Sequence, residues 1–353
     1  MNKVYLLDAK HISAQKPLSE EWTDAPIYPS GSLSSFTPSI DPDYAQCFAP
    51  NVRRRLGKLL KRALLASRTV MESSGIACPD AILTGTGFGC VENTEVFLEA
   101  MTFEGEDCLK PTNFMQSTHN TIGSLIAIET GCHGYNTTYT HKGVSFESAL
   151  LDAFIRIANG HIRNALVGSY DEMTPHYRIL LNRTDYPGNA YFGSETALSA
   201  ILADEPSEGS KALCRIEAIE MIYGKSPQCI ATALQRILCR AGRSFSDLDA
   251  IMTGLNADKA NDAVYRRAEA ELFSGKPLLQ YKHLFGESHA VSGLGVYATA
   301  VCLQRGSVPG FMLVSDKKFR VDKLRDDLPA KTILFYNHCG GKNHALILMS
   351  SCE

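Results

Sequence analysis

One five-residue pattern occurs twice in this chain and constrains its fold more than any other feature. A-I-L-T-G stands at 81–85 and A-I-M-T-G at 250–254, and each copy follows a helical stretch and a short loop. The same order of elements twice within 353 residues indicates the internal duplication of one unit. We therefore predict an N-terminal half, residues 1–205, and a similar C-terminal half, residues 206–353.

Apolar runs and helical periodicity predict the other elements of both halves. The predicted strands are 4–7, 165–168, 197–204, 214–222, 310–316, 332–337 and 344–350. The predicted helices are 55–73, 120–130, 145–158, 229–241, 262–272 and 290–304. Strands that alternate with helices in two similar halves predict an α/β sandwich, with helices between or outside two mixed sheets.

Composition excludes several classes of function. A net charge of −3 gives no overall attraction to nucleic acid or to an anionic membrane, and no apolar run approaches the length of a membrane span. The eleven cysteines are scattered, without a C-x-x-C or a zinc-type spacing, which indicates reduced thiols in a cytoplasmic protein and no metal site. The glycine turn GTGFG at 85–89 lacks the full dinucleotide pattern, so we expect no cofactor.

A sharp turn between a strand and a helix lies at 138–145. The strand ends near Thr140, the helix begins at Ser145, and Lys142-Gly143-Val144 connects them. Such an elbow suits a nucleophile, because helix-terminal amides stabilise a developing negative charge. The connecting residues, however, include no serine or cysteine that could attack a substrate. We call this turn the elbow.

Seven stretches, taken in order, resemble the β-ketoacyl synthase branch of the thiolase-like superfamily. They are GTGFG at 85–89, NTIGSLIA at 120–127, the elbow with NALVGSYDEMT at 164–174, GSETALSAILADE at 193–205, NDAVYRRAEAELF at 261–273, KHLFGESHAVSG at 282–293 and NHCGGKNHALIL at 337–348. The resemblance covers roughly residues 55–350. It implies an α/β fold of the thiolase-like duplicated type, in which two similar halves form a layered α-β-α-β-α sandwich.

The resemblance also implies a chemistry that this chain lacks. In the family, an elbow cysteine carries the acyl chain, and two histidines donate hydrogen bonds to the carbonyl oxygen of the incoming malonyl thioester. In this chain the cysteine position is Gly143, and the histidine positions are Gly254 and Glu287. Glycine forms no thioester and donates no side-chain hydrogen bond, while an ionised Glu287 accepts rather than donates. The pattern therefore resembles the catalytically degenerate chain-length-factor subunits.

The resemblance to these subunits implies particular partners. An active ketosynthase would form a heterodimer with the chain, or the chain would pair with itself, through the 120–130 helix and the strand at 164–170. An acyl carrier protein would dock on the basic run at 53–62, with Arg53, Arg54, Lys58, Lys61 and Arg62 as the candidate docking cations. A solvated helix face explains the same basic run equally well.

Two alternatives to this function stay open. One is an acyltransferase or synthase with relocated chemistry, in which Ser145 acts with His141 or His289. Ser145 would also serve as the N-cap of its helix, which is the commoner role of such a residue. The other alternative is an acyl-binding or scaffolding homodimer. The candidate pocket residues for all these functions are His141, Ser145, Lys282, His289, Asn337 and His338, and His283 is a further candidate histidine.

Overall fold

The computed structural model describes residues 2–28, 36–106, 109–184, 192–206, 211–314 and 326–352. None of the helices in these ranges has the length and the apolar character that crossing a membrane requires. The strands are β1 Val4–Ile12, β2 Phe36–Thr37, β3 Ala81–Gly85, β4 Tyr135–Tyr139, β5 Asn164–Asp171, β6 Gly193–Ser194, β7 Thr196–Ala203, β8 Cys214–Tyr223, β9 Ala250–Thr253, β10 Leu278–Gln280, β11 Ser307–Val308, β12 Leu328–Pro329, β13 Thr332–Cys339 and β14 Asn343–Ser350. The helices are α1 Tyr44–Cys47, α2 Pro50–Arg53, α3 Lys58–Ser74, α4 Val91–Phe103, α5 Pro111–Ser117, α6 Thr121–Thr130, α7 Ser145–Ala158, α8 Pro175–Arg183, α9 Pro227–Ala241, α10 Lys259–Glu271, α11 Lys282–Phe285 and α12 Ser292–Arg305.

Ten of these strands form one sheet made of two equivalent halves. Its order is β4-β3-β5-β7-β1 in the first half, followed by β8-β14-β13-β9-β10 in the second. In each half the three outer strands are parallel, and the two inner strands run antiparallel to their neighbours. The halves meet where β1 pairs with β8 over three residues, Val4 to Leu6. Each strand of the first half therefore has a counterpart in the second.

The repeated sequence pattern occupies equivalent places in the two halves. Ala81–Gly85 is β3, second from the β4 edge, and Ala250–Thr253 is β9, second from the β10 edge. Both copies end at a glycine whose missing Cβ allows close packing. A Cβ on Gly85 would lie 2.6 Å from the backbone nitrogen of Phe146, at the start of α7. The duplication expected from the sequence is confirmed, while the boundary between 205 and 206 stays a prediction.

The core is divided by the sheet halves into three apolar layers. Helices α7 and α12 lie between the halves, where Phe146, Leu150 and Leu294 belong to one buried cluster. Helices α3 and α6 cover the outer face of the first half, and α9 and α10 cover that of the second. This order of helix, sheet, helix, sheet and helix is the five-layered sandwich that the resemblance implied. Apolar residues on almost every face of α12 are explained by its burial on all sides.

Two predictions about strands were wrong. The strand at 164–170, expected to pair with a partner, is β5, and β3 and β7 already occupy both its edges. The open edge of the first half belongs instead to β4, Tyr135–Tyr139. The run at 310–316 does not form a strand either. Gly310–Met312 is a 3₁₀ turn and Leu313 makes an isolated bridge with Leu279, while Ser315 and Asp316 lie outside the described residues.

Candidate functional site

The elbow has the expected backbone but no reactive side chain. Lys142–Val144 forms a 3₁₀ turn that enters α7 directly, and Lys142 adopts a left-handed φ of 52°. The carbonyl oxygen of Gly143 accepts a hydrogen bond of 2.8 Å from the side-chain amide of Asn337 on β13. This bond fixes the elbow of the first half to the sheet of the second half.

At Gly254, a tyrosine fills the space where a side chain would be. A Cβ built on Gly254 would collide with the hydroxyl oxygen of Tyr265 and would lie 3.1 Å from Oδ1 of Asn337. The Tyr265 hydroxyl donates to that same Oδ1 at 3.0 Å and accepts from the backbone amide of His338 at 3.3 Å. The histidine position is thus occupied by a hydroxyl that the protein itself satisfies. No volume remains there for an imidazole.

Glu287 belongs to a buried ion pair. Its carboxylate lies 2.8 Å and 3.1 Å from Nζ of Lys282 and accepts a 2.6 Å hydrogen bond from Asn256. The side chains of Lys282 and Glu287 are only 7% and 9% exposed. A carboxylate in this pair neither donates a hydrogen bond nor carries an uncompensated charge. The adjacent cation therefore removes most of the repulsion that an ionised Glu287 would exert on an anion.

A second buried carboxyl group lies one helical turn from Gly143. Glu147 on α7 accepts hydrogen bonds from Asn337 at 2.6 Å and from Ser292 at 3.0 Å. Its burial raises its pKa from 4.5 to about 7. Asn337 therefore bonds to Gly143, Glu147 and Tyr265 together, and its amide is the centre of a buried network at the elbow.

Two of the three positions, Gly143 and Glu287, line one cavity of about 410 Å³. Six of the residues that line it bear on function: Gly143, Lys282, Glu287, His289, Asn337 and Cys339. Cys339 follows Asn337 by two residues on β13, so both side chains are on one face of the strand. Its Sγ lies 3.4 Å from the position that a Cβ on Gly143 would take. A thiol thus faces the place where the family's nucleophile would be.

Two of the candidate histidines line the cavity: His338 is buried, and His289 is half-buried. His338 accepts from the amide of Gly341 at Nδ1 and bonds to the carbonyl of Asn261 at Nε2, 3.1 Å away. His289 packs against Gly87 and lies 4.5 Å from the ring of Phe88, centroid to centroid. Burial lowers the pKa of His289 to about 4 and that of His338 to about 3, so both are neutral near pH 7.

The remaining candidates, His141, His283 and Ser145, do not line the cavity. His141 is exposed, and its Nδ1 lies 2.9 Å from the hydroxyl of Ser148. The hydroxyl of Ser145 is fully buried, where it donates to the carbonyl of Lys142 and accepts from the amide of His141. Ser145 is also the first residue of α7 rather than its N-cap, which is Val144. A buried hydroxyl in a turn cannot reach a substrate, so the predicted role of Ser145 as a nucleophile is not supported.

The glycine turn at 85–89 binds a carboxylate of the protein itself. One oxygen of Asp171 accepts hydrogen bonds of 2.8–2.9 Å from the hydroxyl of Thr86 and the amides of Gly87 and Phe88. Because Asp171 is buried, its pKa rises to about 6. The amides that could have cradled a phosphate are therefore already satisfied.

The basic run at 53–62 is only partly a surface. Arg54 and Lys58 are exposed, while Arg53 and Lys61 are half-buried. Arg62 is 2% exposed, and its guanidinium pairs with Asp41 at 2.6 Å and with Glu195 at 2.9 Å. The prediction that Arg62 belongs to a carrier-protein docking surface was therefore wrong. Its ion pairs connect α3 to Asp41 and to Glu195.

Three residues of the site were missed by sequence reasoning: Glu147, Tyr265 and Cys339. Two of them carry a recognisable signal, because Tyr265 is four residues after Asn261 on a helix and Cys339 is two residues after Asn337 on a strand. Glu147 carries none, since an acidic residue in the first turn of a helix is ordinarily exposed. In the described part of the chain, no group of three histidine, cysteine or acidic side chains could hold a metal ion.

Comparison with known sequences and structures defines the class of this protein. The profile of the family described as "Beta-ketoacyl synthase, N-terminal domain" matches residues 31–218, which is more than half of the 353 residues. The chain therefore belongs to the β-ketoacyl synthase family. No curated protein sequence matches it significantly.

Solved structures of ketosynthases share its fold over the whole chain. "The ishigamide ketosynthase/chain length factor" superposes with a TM-score of 0.81 at 17% identity, covering 100% of both chains. A β-ketoacyl synthase from Burkholderia phymatum STM815 gives 0.80 at 14% identity, again covering 100% of both. A ketosynthase in complex with its chain length factor from Xenorhabdus doucetiae gives 0.77 at 14% identity, covering 99% of this chain and 98% of that one. The fold is thus the thiolase-like fold of ketosynthases.

Proposed function

We propose that this protein is a non-catalytic, chain-length-factor-type subunit that pairs with an active ketosynthase in polyketide, aryl-polyene or fatty-acid-like chain assembly. One observation carries the proposal: the cavity at the elbow lacks the family's nucleophile and both of its hydrogen-bond donors. A single lost donor of this kind costs about 10²–10³ in rate. A cavity of about 410 Å³ without this chemistry suits a subunit that shapes a chain.

The structural neighbours support this choice within the family. Two of them are named for a ketosynthase together with its chain length factor. Another is a type II polyketide synthase acyl-carrier protein in complex with its ketosynthase bound to the hexaketide. At 12–17% identity these neighbours share only a fold with this chain, so the similarity by itself does not assign their partners to it.

A surface for the partner lies at the β4 edge. Among the described strands β4 ends the sheet and pairs only with β3, which leaves its other edge open. The neighbouring helices α5 and α6 expose large apolar side chains: Phe114 is 57%, Met115 is 67% and Ile128 is 77% exposed. An open strand edge beside exposed apolar side chains is a hazard for a lone chain and favours a covering partner. We assign the subunit interface to this surface.

An acyl carrier protein would meet the complex through its acidic surface. Arg54, Arg55 and Lys58 are exposed on the basic run after Arg62 is excluded. Three exposed cations give a weak and salt-dependent contact, which suits a carrier that must bind and leave in each cycle.

Activity measurements test the catalytic part of the proposal. The purified chain, mixed with acyl and malonyl carrier proteins, should release no carbon dioxide and form no condensed product. The ketosynthase encoded beside its gene, if it has an intact cysteine and two histidines, should copurify with the chain and condense in its presence. Turnover by the isolated chain at a rate comparable with that of such a pair would falsify the proposal.

A matched pair of surface variants tests the interface. Met115→Asp places a charge on the proposed contact, and Ile179→Asp places the same charge at an exposed site on α8, where Ile179 is 52% exposed. Both variants should fold, since both side chains are largely in solvent. In sedimentation velocity at micromolar concentration, only Met115→Asp should abolish the association of the chain with the ketosynthase. Equal association by both variants would place the interface elsewhere.

A second candidate function rests on the thiol of Cys339. Because its Sγ faces the empty position at Gly143, an acyl group could be transferred to Cys339 from a carrier thioester. The Cys339 thiolate would attack the thioester carbonyl, the carrier thiolate would leave, and the proton of Cys339 would pass to it. Ser145, the nucleophile that the sequence suggested, has no such access to the cavity.

Intact-mass measurement separates the two candidates. After incubation with an acyl carrier protein, the second function predicts a hydroxylamine-sensitive acyl adduct that disappears in Cys339→Ser. The first function predicts an unchanged mass for both proteins. Cys229→Ser is a suitable control, because this partly exposed thiol lies on α9, away from the elbow.

A further inference from the structure

Two cysteines lie side by side in the loops that precede the outer strands of the first half. β3 and β4 are parallel neighbours, with Ala81 paired to Tyr135. Cys78 precedes Ala81 by three residues, and Cys132 precedes Tyr135 by three residues. Adjacent strands are about 4.8 Å apart, so two loops that enter such strands in register run close to each other.

Contacts between these loops place the two thiols around one backbone oxygen. The Cys132 thiol donates to the carbonyl oxygen of Pro79 at 3.1 Å, and the Cys78 thiol lies 3.8 Å from the same oxygen. The loops also touch through their backbones, since a Cβ on Gly134 would overlap the carbonyl oxygen of Asp80. Burial raises the pKa of the Cys132 thiol, and the neighbouring Cys78 raises this pKa as well. Both thiols are thus held around one shared acceptor.

We infer that Cys78 and Cys132 form a reversible disulfide, which makes this loop pair a thiol modification site. Cys78 is exposed and meets the oxidant first, while Cys132 is buried and resolves the product. With a small disulfide as oxidant, the Cys78 thiolate attacks one of its sulfurs and releases one thiolate. The Cys132 thiolate then attacks the Cys78 sulfur of the mixed disulfide and releases the second thiolate. The two protons lost by the cysteines go to the two released thiolates, and both electrons go to the oxidant.

The bond would fasten the open edge of the sheet. It would join the loop before β4 to the loop before β3 and close a covalent ring from residue 78 to residue 132. Such a ring restricts the unfolded chain and keeps β4 against β3 during local opening. The site depends on no property of the elbow, so its failure would leave the proposed function untouched.

Mild oxidation with glutathione disulfide tests the site in the full-length protein. After oxidation, maleimide labelling of the denatured chain should decrease by two groups, and peptide mapping should recover one peptide that joins Cys78 to Cys132. Exchange of the β4 amides, Tyr135–Tyr139, should slow, and a reductant should reverse every change. Cys239→Ser, which removes an exposed thiol on α9, should behave as the unaltered chain does.

The single variants keep the test decisive. Cys132→Ser should stop at a glutathione adduct on Cys78, and Cys78→Ser should leave Cys132 reduced and slow to label. A stable glutathione adduct on Cys78 in the unaltered chain, with Cys132 still alkylated after denaturation, would show that the sulfurs do not meet. A cross-link between two chains through Cys78 would equally overturn the inference.

Discussion

A methyl group added at Gly254 should destabilise the protein much more than the same group added at Gly143. The new Cβ at 254 would collide with the Tyr265 hydroxyl, whereas a Cβ at 143 would lie 3.4 Å and 3.5 Å from Sγ and Cβ of Cys339, at ordinary contact distance. Neither glycine has a left-handed φ, so backbone strain does not complicate the comparison. The two Gly→Ala substitutions therefore add the same methyl group at two positions of one site, and their effects on stability can be compared directly.

The cost at Gly254 follows from what Tyr265 must give up. The ring is 1% exposed and cannot move into solvent, so relief of the collision breaks its hydrogen bonds to Asn337 and to the His338 amide. Each bond contributes about 1 kcal/mol, and forced overpacking adds about 1–3 kcal/mol. We expect Gly254→Ala to lower the free energy of unfolding by about 3–5 kcal/mol. Gly143→Ala should change it by less than about 1 kcal/mol.

Urea denaturation followed by fluorescence measures both changes, and Tyr265→Phe provides the rescue. Removing the hydroxyl relieves the collision, because Cζ of the ring lies 3.2 Å from the built Cβ. The double variant Gly254→Ala, Tyr265→Phe should therefore be more stable than additivity predicts, by about 1–2 kcal/mol. Strict additivity in this cycle, or equal costs at the two glycines, would refute the view that Tyr265 occupies the site.

Three further predictions concern buried charges. The pKa of Glu147 is raised from 4.5 to about 7, so between these pH values the folded chain keeps a proton that the unfolded chain has released, and stability falls as pH rises. Glu147→Gln should remove this loss. In urea titrations, its free energy of unfolding minus that of the unaltered protein should rise by about 3 kcal/mol between pH 4.5 and pH 7. A difference that does not change with pH would contradict this prediction. Lys282→Met should cost about 3–5 kcal/mol because it strands the buried carboxylate of Glu287, and adding Glu287→Leu should restore part of that loss in the same assay. Arg62→Leu should lower the free energy of unfolding by a similar amount, whereas Lys58→Leu at an exposed position should change it by no more than about 0.5 kcal/mol. Equal effects of the two substitutions would contradict the buried ion pairs of Arg62.

Regular elements with strong periodicity were predicted well from the sequence. Helix α7 was predicted at 145–158, its observed bounds, because its apolar face and its Asn-Gly end are both local signals. Helices α4, α5 and α8 were not predicted. Their apolar side chains, such as Leu98, Phe114 and Ile179, are exposed and follow no core-facing stripe. A pattern that reports burial cannot detect a helix whose apolar side chains are exposed.

The edge strand shows the limit of pattern reasoning most clearly. The continuous apolar run of β5 was taken for an interface strand, but such a run is also what a strand buried on both faces requires. The polar sequence of β4, Tyr-Asn-Thr-Thr-Tyr, gave no sign that it ends the sheet. The order of strands in a sheet depends on contacts between segments that are distant in sequence, and the sequence of a single strand does not specify its neighbours.

The sequence alone determined the duplicated α/β fold and the residues at 143, 254 and 287, where the resemblance predicts the family's reactive groups, because repeat, periodicity and residue type are local properties. Only the tertiary structure decided what surrounds these positions. Tyr265 arrives from α10, Lys282 pairs with Glu287, and Cys339 faces the elbow from β13. Segments up to about 200 residues apart meet at that point, and only packing of the two halves fixes which side chain fills a space that another has left.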